Sequence, residues 1–302
     1  MRVESIHSRL LAARELRVHP SLDDKVLADW NGLCIAAFAQ AGRVFDNPIY
    51  VETANTALQF ILTRMRSDDG GLLHRCRDGD AAIPGFADDY TSIIHALIEL
   101  YETTFDPHYL KTALDLNRYL FEHFHDAQEG GFFTVSDNAE ALILKKKECY
   151  DGAIPSCNSV AFMNLIRLSR LTGDASLEEN ASVLLRCFAG TISQSWSAYT
   201  WFLCGLDQLV QPCDVVIVGE EGAEDTRASI LALRSQYLPS VIVMRFAPGP
   251  QASALGELAP FTQNLSLIDG KATAYVCSGH ACSIPVTDPE AILAQIDLLK
   301  KT

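Results

Sequence analysis

The sequence predicts a mainly α protein: a partial (α/α) toroid of helical hairpins over residues 1–210, then a small α/β region over 211–302. Three observations predict it. Helices that are apolar almost all round alternate with helices that carry one apolar stripe. Acidic turns and glycine pairs recur at one long, regular interval. After Pro212 the texture changes to short, β-branched blocks.

The one-sided helices come from periodicity. Residues 47–66 place Ala54, Ala57, Leu58, Ile61, Leu62 and Met65 at i, i+3, i+4, i+7, i+8 and i+11, a single stripe. Residues 107–125 and 176–189 repeat the pattern. The segments before them, 33–45, 92–105 and 160–171, are apolar over most of their circumference, as helices buried on several sides are. Helices are expected at 2–15, 29–45, 48–66, 88–105, 107–125, 158–172, 176–190 and 195–210, about four hairpins.

The repeat has its own punctuation. Asp46, Asp106 and Asp174 lie in similar turns, the second step slightly longer than the first. Asp69-Gly70-Gly71 recurs as Glu129-Gly130-Gly131, at the same offset that separates Asp46 from Asp106. That period, about 60 residues, is too long for the common helical solenoids and suits a hairpin with an added loop or short β-hairpin. Beyond Pro212, residues 213–218 and 240–246 read as strands flanking a helix over 223–236, a parallel pair. A strand over 271–277 and a terminal helix from Pro289 complete the region.

Composition narrows the function. The net charge of -14 would repel a phosphate backbone, which argues against nucleic acid and against an anionic membrane surface. No apolar run approaches the roughly 18 residues of a membrane span. The arginines at 2, 9, 14 and 17 resemble those of a transit peptide, but Glu4 and Glu15 favour a plain amphipathic helix. Nine cysteines, odd in number and scattered, suit reduced, buried thiols and a cytoplasmic location. No cofactor pattern is present: Val216-Ile-Val-Gly-Glu-Glu-Gly lacks both common phosphate-loop spacings.

In a toroid of hairpins a ligand sits where inner-helix N-termini converge, and those ends carry free N–H groups. Asp23, Asp24, Trp30 and Asn31 open the first inner helix, Asp88, Asp89 and Tyr90 the second, and Asp151, Ser156 and Asn158 the third. His74 and Arg75 lie on the segment that would reach over the same mouth. Carboxylates and rings of this kind hold sugars. Asp24, Asp89, Asp151 and His74 are the candidate catalytic groups, as paired acid and base for a glycosidic bond or as the base of an epimerisation. The others are candidate substrate contacts. Bland roles compete: Asp88 and Ser156 as N-caps, Trp30 as core, and one of each Asp pair turned away. His95 reads as a core histidine.

Cys277 and Cys282, spaced C-x4-C, form a second candidate, a redox pair, against the plainer reading of two reduced thiols at a strand end. His280 is the nearest third ligand for a metal, and the spacing does not suit structural zinc.

Four ordered motifs carry a resemblance: residues 19–33 (HPSLDDKVLADWNGL), 84–90 (PGFADDY), 151–160 (DGAIPSCNSV) and 274–285 (AYVCSGHACSIP). Together they resemble the C-terminal part of a family of thioredoxin-domain-containing proteins that includes the spermatogenesis-associated protein. The resemblance implies an (α/α)6 toroid like those of N-acylglucosamine 2-epimerases and six-hairpin glycosidases. It also implies a thioredoxin-like domain elsewhere in such proteins, and supplies no reaction. Carbohydrate handling is expected by that fold, with a non-catalytic scaffold as the alternative. Four hairpins of six leave an apolar edge, to be covered by the remaining hairpins or thioredoxin-like region on another chain, or by a second copy.

Overall fold

The computed structural model describes residues 2–139, 142–247, 252–279 and 281–299. Its first helix, α1 (Arg2–Glu15), is exposed from residue 3 to residue 15. A two-residue strand, β1 (Val26–Leu27), leads into α2 (Ala28–Val44), which turns back as α3 (Pro48–Arg64). A β-hairpin, β2 (Leu73–Arg77) and β3 (Asp80–Pro84), then delivers the chain to α4 (Ala87–Thr104) and α5 (Pro107–Phe124). A long irregular connection precedes α6 (Cys157–Thr172) and α7 (Ala175–Ile192), and α8 (Thr200–Val210) ends the helical part.

Helices α2, α4 and α6 form the inner row, with α3, α5 and α7 as their outer partners, and α8 packs on α6. This corrects the expected hairpin count: three complete hairpins and one further inner helix, with α1 standing apart. The outer helices begin alike. Asn47, Asp106 and Asp174 each accept the N–H two residues on, and Pro48 and Pro107 occupy first-turn positions where no N–H is needed. The cap equivalent to Asp106 is therefore Asn47, one residue beyond the Asp46 that the repeat spacing suggests.

Inner helices pack closely because small residues meet there. A Cβ on Gly32 of α2 would lie 2.7 Å from the Ser92 carbonyl carbon of α4. Lower in the row, buried Arg167 on α6 reaches Glu99 at 2.6 Å and Glu102 at 2.7 Å on α4, and Arg43 on α2 joins Glu99 at 2.9 Å. The two guanidiniums hold the Glu99 carboxyl well below its usual range despite burial. His95 is buried beside them with its pKa pushed down to about 4 by desolvation, so it is a neutral core histidine.

Strands β4 (Cys213–Val218) and β5 (Val241–Phe246) run parallel on either side of α9 (Glu224–Arg234). After α10 (Ala252–Leu258), β6 (Thr273–Ser278) pairs antiparallel with β4, and β7 (Ala281–Cys282) forms the edge, giving the order β5-β4-β6-β7. One sheet face, with Val216, Val218, Ile242 and Met244, continues the toroid core. The other, with Val215, Ile217 and Val276, packs on α9 and the terminal helix α11 (Pro289–Leu299). The alternation of β-branched residues is thus buried on both faces.

The free side of α2 is largely apolar. Trp30, Cys34, Ala37, Gln40 and Val44 are exposed along one helical line, apolar except at Gln40, and Phe45 follows at 70% exposure. Among the described residues no helix is long and apolar enough to cross a membrane.

Candidate active site

The site starts from β2, which lies between β1 and β3 in a three-stranded antiparallel sheet. Its register pairs Arg75 with Leu27 and Ala82, and so suspends His74 over the N-terminal ends of α2 and α4. Asp89, in the first turn of α4 and 0% exposed, is the hub beneath it. Its Oδ2 accepts the Phe86 N–H at 2.7 Å, which caps α4. Its Oδ1 accepts the Asp29 N–H of α2 at 2.9 Å. His74 Nδ1 lies 3.1 Å from Oδ1 and 3.0 Å from Oδ2.

That geometry assigns the histidine proton. An ionised carboxylate only accepts, so Nδ1 carries the hydrogen and Nε2 is left as the exchanging nitrogen. Phe86 braces the ring edge-on, with centroids 4.9 Å apart. The hydrogen bond to Asp89 raises the His74 pKa above its usual value, against desolvation, and the charges of Asp89, Asp29 and Asp88 add to the rise. The imidazole side chain is 22% exposed and borders a cleft of about 490 Å3. Trp30, Asn31, Asp23 and Arg75 line the same cleft.

Two more carboxylates stand nearby. Asp29, nearly buried, accepts the Trp30 N–H at 2.8 Å, and burial next to Asp89 raises its pKa. Asp88 is half-buried on α4, turned toward the N-terminus of α6, where the Cys157 N–H favours its charge. Desolvation, with Asp89 and Asp29 nearby, nonetheless pushes Asp88 up to about 6. Asp89 thus sits under His74, while its neighbour Asp88 is turned toward α6 and is not among the residues lining the His74 cleft. Ligand atoms of Asp29, His74 and Asp89 fall within 4.8 Å of one another, a spacing a cation could bridge. However, the backbone N–H groups and the imidazole already satisfy both Asp89 oxygens, so an ion would have to displace the His74 contact.

The other residues expected at the mouth divide. Trp30, 60% exposed, is a free ring on the cleft wall and not core. Asn31 lines the cleft while its Nδ2 donates to the Leu27 carbonyl at 2.8 Å. Arg75 lines it too, 3.9 Å from Asp80. Asp23 is at the rim, bonded to Lys25, which holds its carboxyl below the usual range. Asp24 faces away, 2.8 Å from Arg77 Nε on the surface.

Four expected residues are held in packing contacts. Tyr90 is buried, stacked on Tyr119 at 5.1 Å, and its hydroxyl accepts the Leu72 N–H at 2.7 Å. Asp151 accepts the Ser156 N–H at 3.0 Å and the Trp201 N–H at 2.8 Å, pinning the loop before α6 to the start of α8. Ser156 caps α6 through Ser159. Asn158, 0% exposed, exchanges bonds with the Phe132 backbone at 2.8 and 3.0 Å and donates to the Glu148 carbonyl at 2.7 Å. Their polar atoms have partners in the fold, so these residues do not build the cleft.

Asp29 was not singled out from the sequence, nor were Lys25 on the cleft wall and Phe86 against the His74 ring. The signal was present: Asp29 stands to Asp89 as Asp46 stands to Asp106, one full repeat apart. For Cys277 and Cys282 the structure overturns the plainer reading of two reduced thiols and leaves the redox-pair reading open. They form a disulfide across β6 and β7. The seven other cysteines are free, but Cys34 and Cys204 are exposed instead of buried. His280 lies outside the described residues.

No family model matches the chain. Spermatogenesis-associated protein 20 of Homo sapiens is 32% identical over 292 residues, which is 93% of this chain. The chain is homologous to part of spermatogenesis-associated protein 20. It spans 37% of the length of that relative. Among solved structures, a cellobiose 2-epimerase from Bacillus thermoamylovorans superposes with a TM-score of 0.50 at 16% identity, over 89% of this chain and 68% of that one. A GH76 α-mannanase of Bacteroides thetaiotaomicron gives a TM-score of 0.48 at 20% identity, over 57% of this chain and 47% of that one. The epimerase likeness shows the fold, an α/α toroid, and at that identity nothing of the chemistry.

Proposed function

We propose that this relative of spermatogenesis-associated protein 20 handles a carbohydrate at the α2–α4 mouth, by epimerase-like general acid–base proton transfer. One observation carries the proposal: the His74 imidazole, tied through Nδ1 to buried Asp89 at 3.0 Å, borders a cleft walled by exposed Trp30. A flat ring beside polar side chains suits a sugar's apolar face and hydroxyls. The solved epimerase of similar fold lends analogy only.

The titration order supports a division of labour. Between about pH 6 and the raised His74 value, Asp88 is a carboxylate and His74 an imidazolium. A carboxylate and an imidazolium therefore coexist near the start of α4 within that window. His74 would exchange the proton on the carbon next to a sugar carbonyl, with the charge of Asp88 adding to the field on its ring. Asp89 acts through His74, fixing its tautomer and tilt, and Asp29 sets the local negative field.

Glycoside hydrolysis is disfavoured. It needs two carboxylates facing each other across the bond, whereas Asp151 is engaged by α8 and Asp24 by Arg77. A scaffold role is the second reading, and the capping bonds of Asp151 favour it locally. The free cysteines suit a cytoplasmic chain, and any partner carrying a thioredoxin-like domain would be a redox associate of the whole protein. A panel of mono- and disaccharides in calorimetry, with His74→Gln alongside, separates these readings: a binder releases heat through the cleft and a scaffold does not.

A further inference from the structure

A second cleft lies at the other end of the inner helices and takes no part in the sugar chemistry. It encloses about 420 Å3 between the C-terminal end of α6 and the four-stranded sheet. Ile166, Leu209, Met244 and Phe261 give it apolar walls, and Cys277 and Cys282 close one side. The cationic side chain nearby, Arg170, is engaged by Asp214 at 2.7 Å.

The Cys277–Cys282 disulfide joins residues that the strand pairing already holds together. The two cysteines already face each other in the β6–β7 pairing. They are five positions apart, so the bond closes a short loop and restricts little of the unfolded chain. β7 is a two-residue edge strand, with Ser278–Ala281 as its other pair. The two sulfurs are unequal: Cys282 is exposed, whereas Cys277 is 9% exposed. An incoming nucleophile therefore meets Cys282 first.

We propose that Cys277–Cys282 is a thiol–disulfide exchange site that reacts with small thiols bearing an apolar body, admitted through this cleft. The attacking thiolate bonds to Cys282 Sγ as the Cys277–Cys282 bond breaks, and its electron pair leaves on Cys277 Sγ, which takes a proton from water. A second thiolate attacks the ligand sulfur of the mixed disulfide, releasing the ligand disulfide and the Cys282 thiolate, which is protonated in turn. Two ligand thiols are oxidised and one protein disulfide is reduced. The apolar wall selects the thiol, because burying a ring in it removes apolar surface from water.

The test uses the whole chain purified without reductant. It is treated with 4-mercaptophenol or 2-mercaptoethanol, quenched by alkylation and mapped by mass spectrometry. Each native rate is divided by the same thiol's rate with the urea-unfolded protein, which cancels intrinsic nucleophilicity. The expected result is that Cys277 and Cys282 resist alkylation before treatment and both react after it. The normalised rate should be at least tenfold higher for the aromatic thiol, with unchanged helical circular dichroism. Leu209→Trp should erase that preference, and Leu209→Met should keep it. Equal normalised rates, reduction in urea only, or two free thiols in the untreated protein would each overturn the proposal.

Discussion

His74 and Asp89 sit fifteen positions apart, one on a strand and one in the first turn of a helix, yet the imidazole Nδ1 lies 3.0 Å from the carboxylate. The β2–β3 hairpin brings them together by folding back over α4. Asp89→Asn should therefore bring the His74 pKa down, since the hydrogen bond that raises it weakens and its charge is lost. Histidine resonances followed through a pH titration would report it. The substitution also places an NH2 against the N–H of Asp29 or of Phe86, and a cost of about 1–3 kcal/mol is expected from chemical denaturation.

Asp88 should behave in the opposite way. Its folded pKa is about 6 against an ordinary 3.8. A carboxyl with a raised folded value favours folding when protonated, and that contribution fades as pH climbs through the folded value. Asp88→Asn should match the parent below pH 4. It should exceed the parent above pH 6 by up to about 3 kcal/mol, from roughly two units at 1.36 kcal/mol each, less the weakened Cys157 contact. Melting curves at both ends of that window check it.

Asp151→Ala should cost stability and spare the His74 cleft. Its carboxylate serves the N–H groups of Ser156 and Trp201, so loss of the cap should lower stability by about 1–2 kcal/mol. Denaturation curves measure that cost, and an unchanged His74 titration would show that Asp151 stands outside the mouth.

The exposed line from Trp30 to Val44 on α2 should make the isolated chain self-associate. Sedimentation at rising concentration should show species larger than a monomer. Ala37→Glu, placed in the middle of that line, should shift the balance toward monomer.

Much of this architecture was legible because helix periodicity and a repeated turn are local signals. The inner and outer rows follow from how many sides of each helix are apolar, and Pro48 and Pro107 mark the outer starts. The mouth was legible only as a neighbourhood. Sequence puts Asp88, Asp89 and Tyr90 at one helix start but does not set the rotation that buries Tyr90 against Tyr119. Nor does it tell a ligand-facing Asp151 from one that caps a distant α8, since that partner lies far along the chain at Trp201. Asp29 was hidden for the reverse reason: its partner Asp89 is one repeat away, and nothing local to residues 26–31 marks that contact. The Cys277–Cys282 bond depends on β7 pairing back on β6, a two-residue strand too short to read in advance.

The central claim is that His74 meets a sugar at the α2–α4 mouth. Titrating mono- and disaccharides into the protein while following the His74 ring resonances tests it most directly. Saturable shifts of those resonances, with a matching heat of binding that disappears in His74→Gln, are the predicted result. No shift at millimolar sugar across the panel, or binding that survives unchanged in His74→Gln, would contradict it.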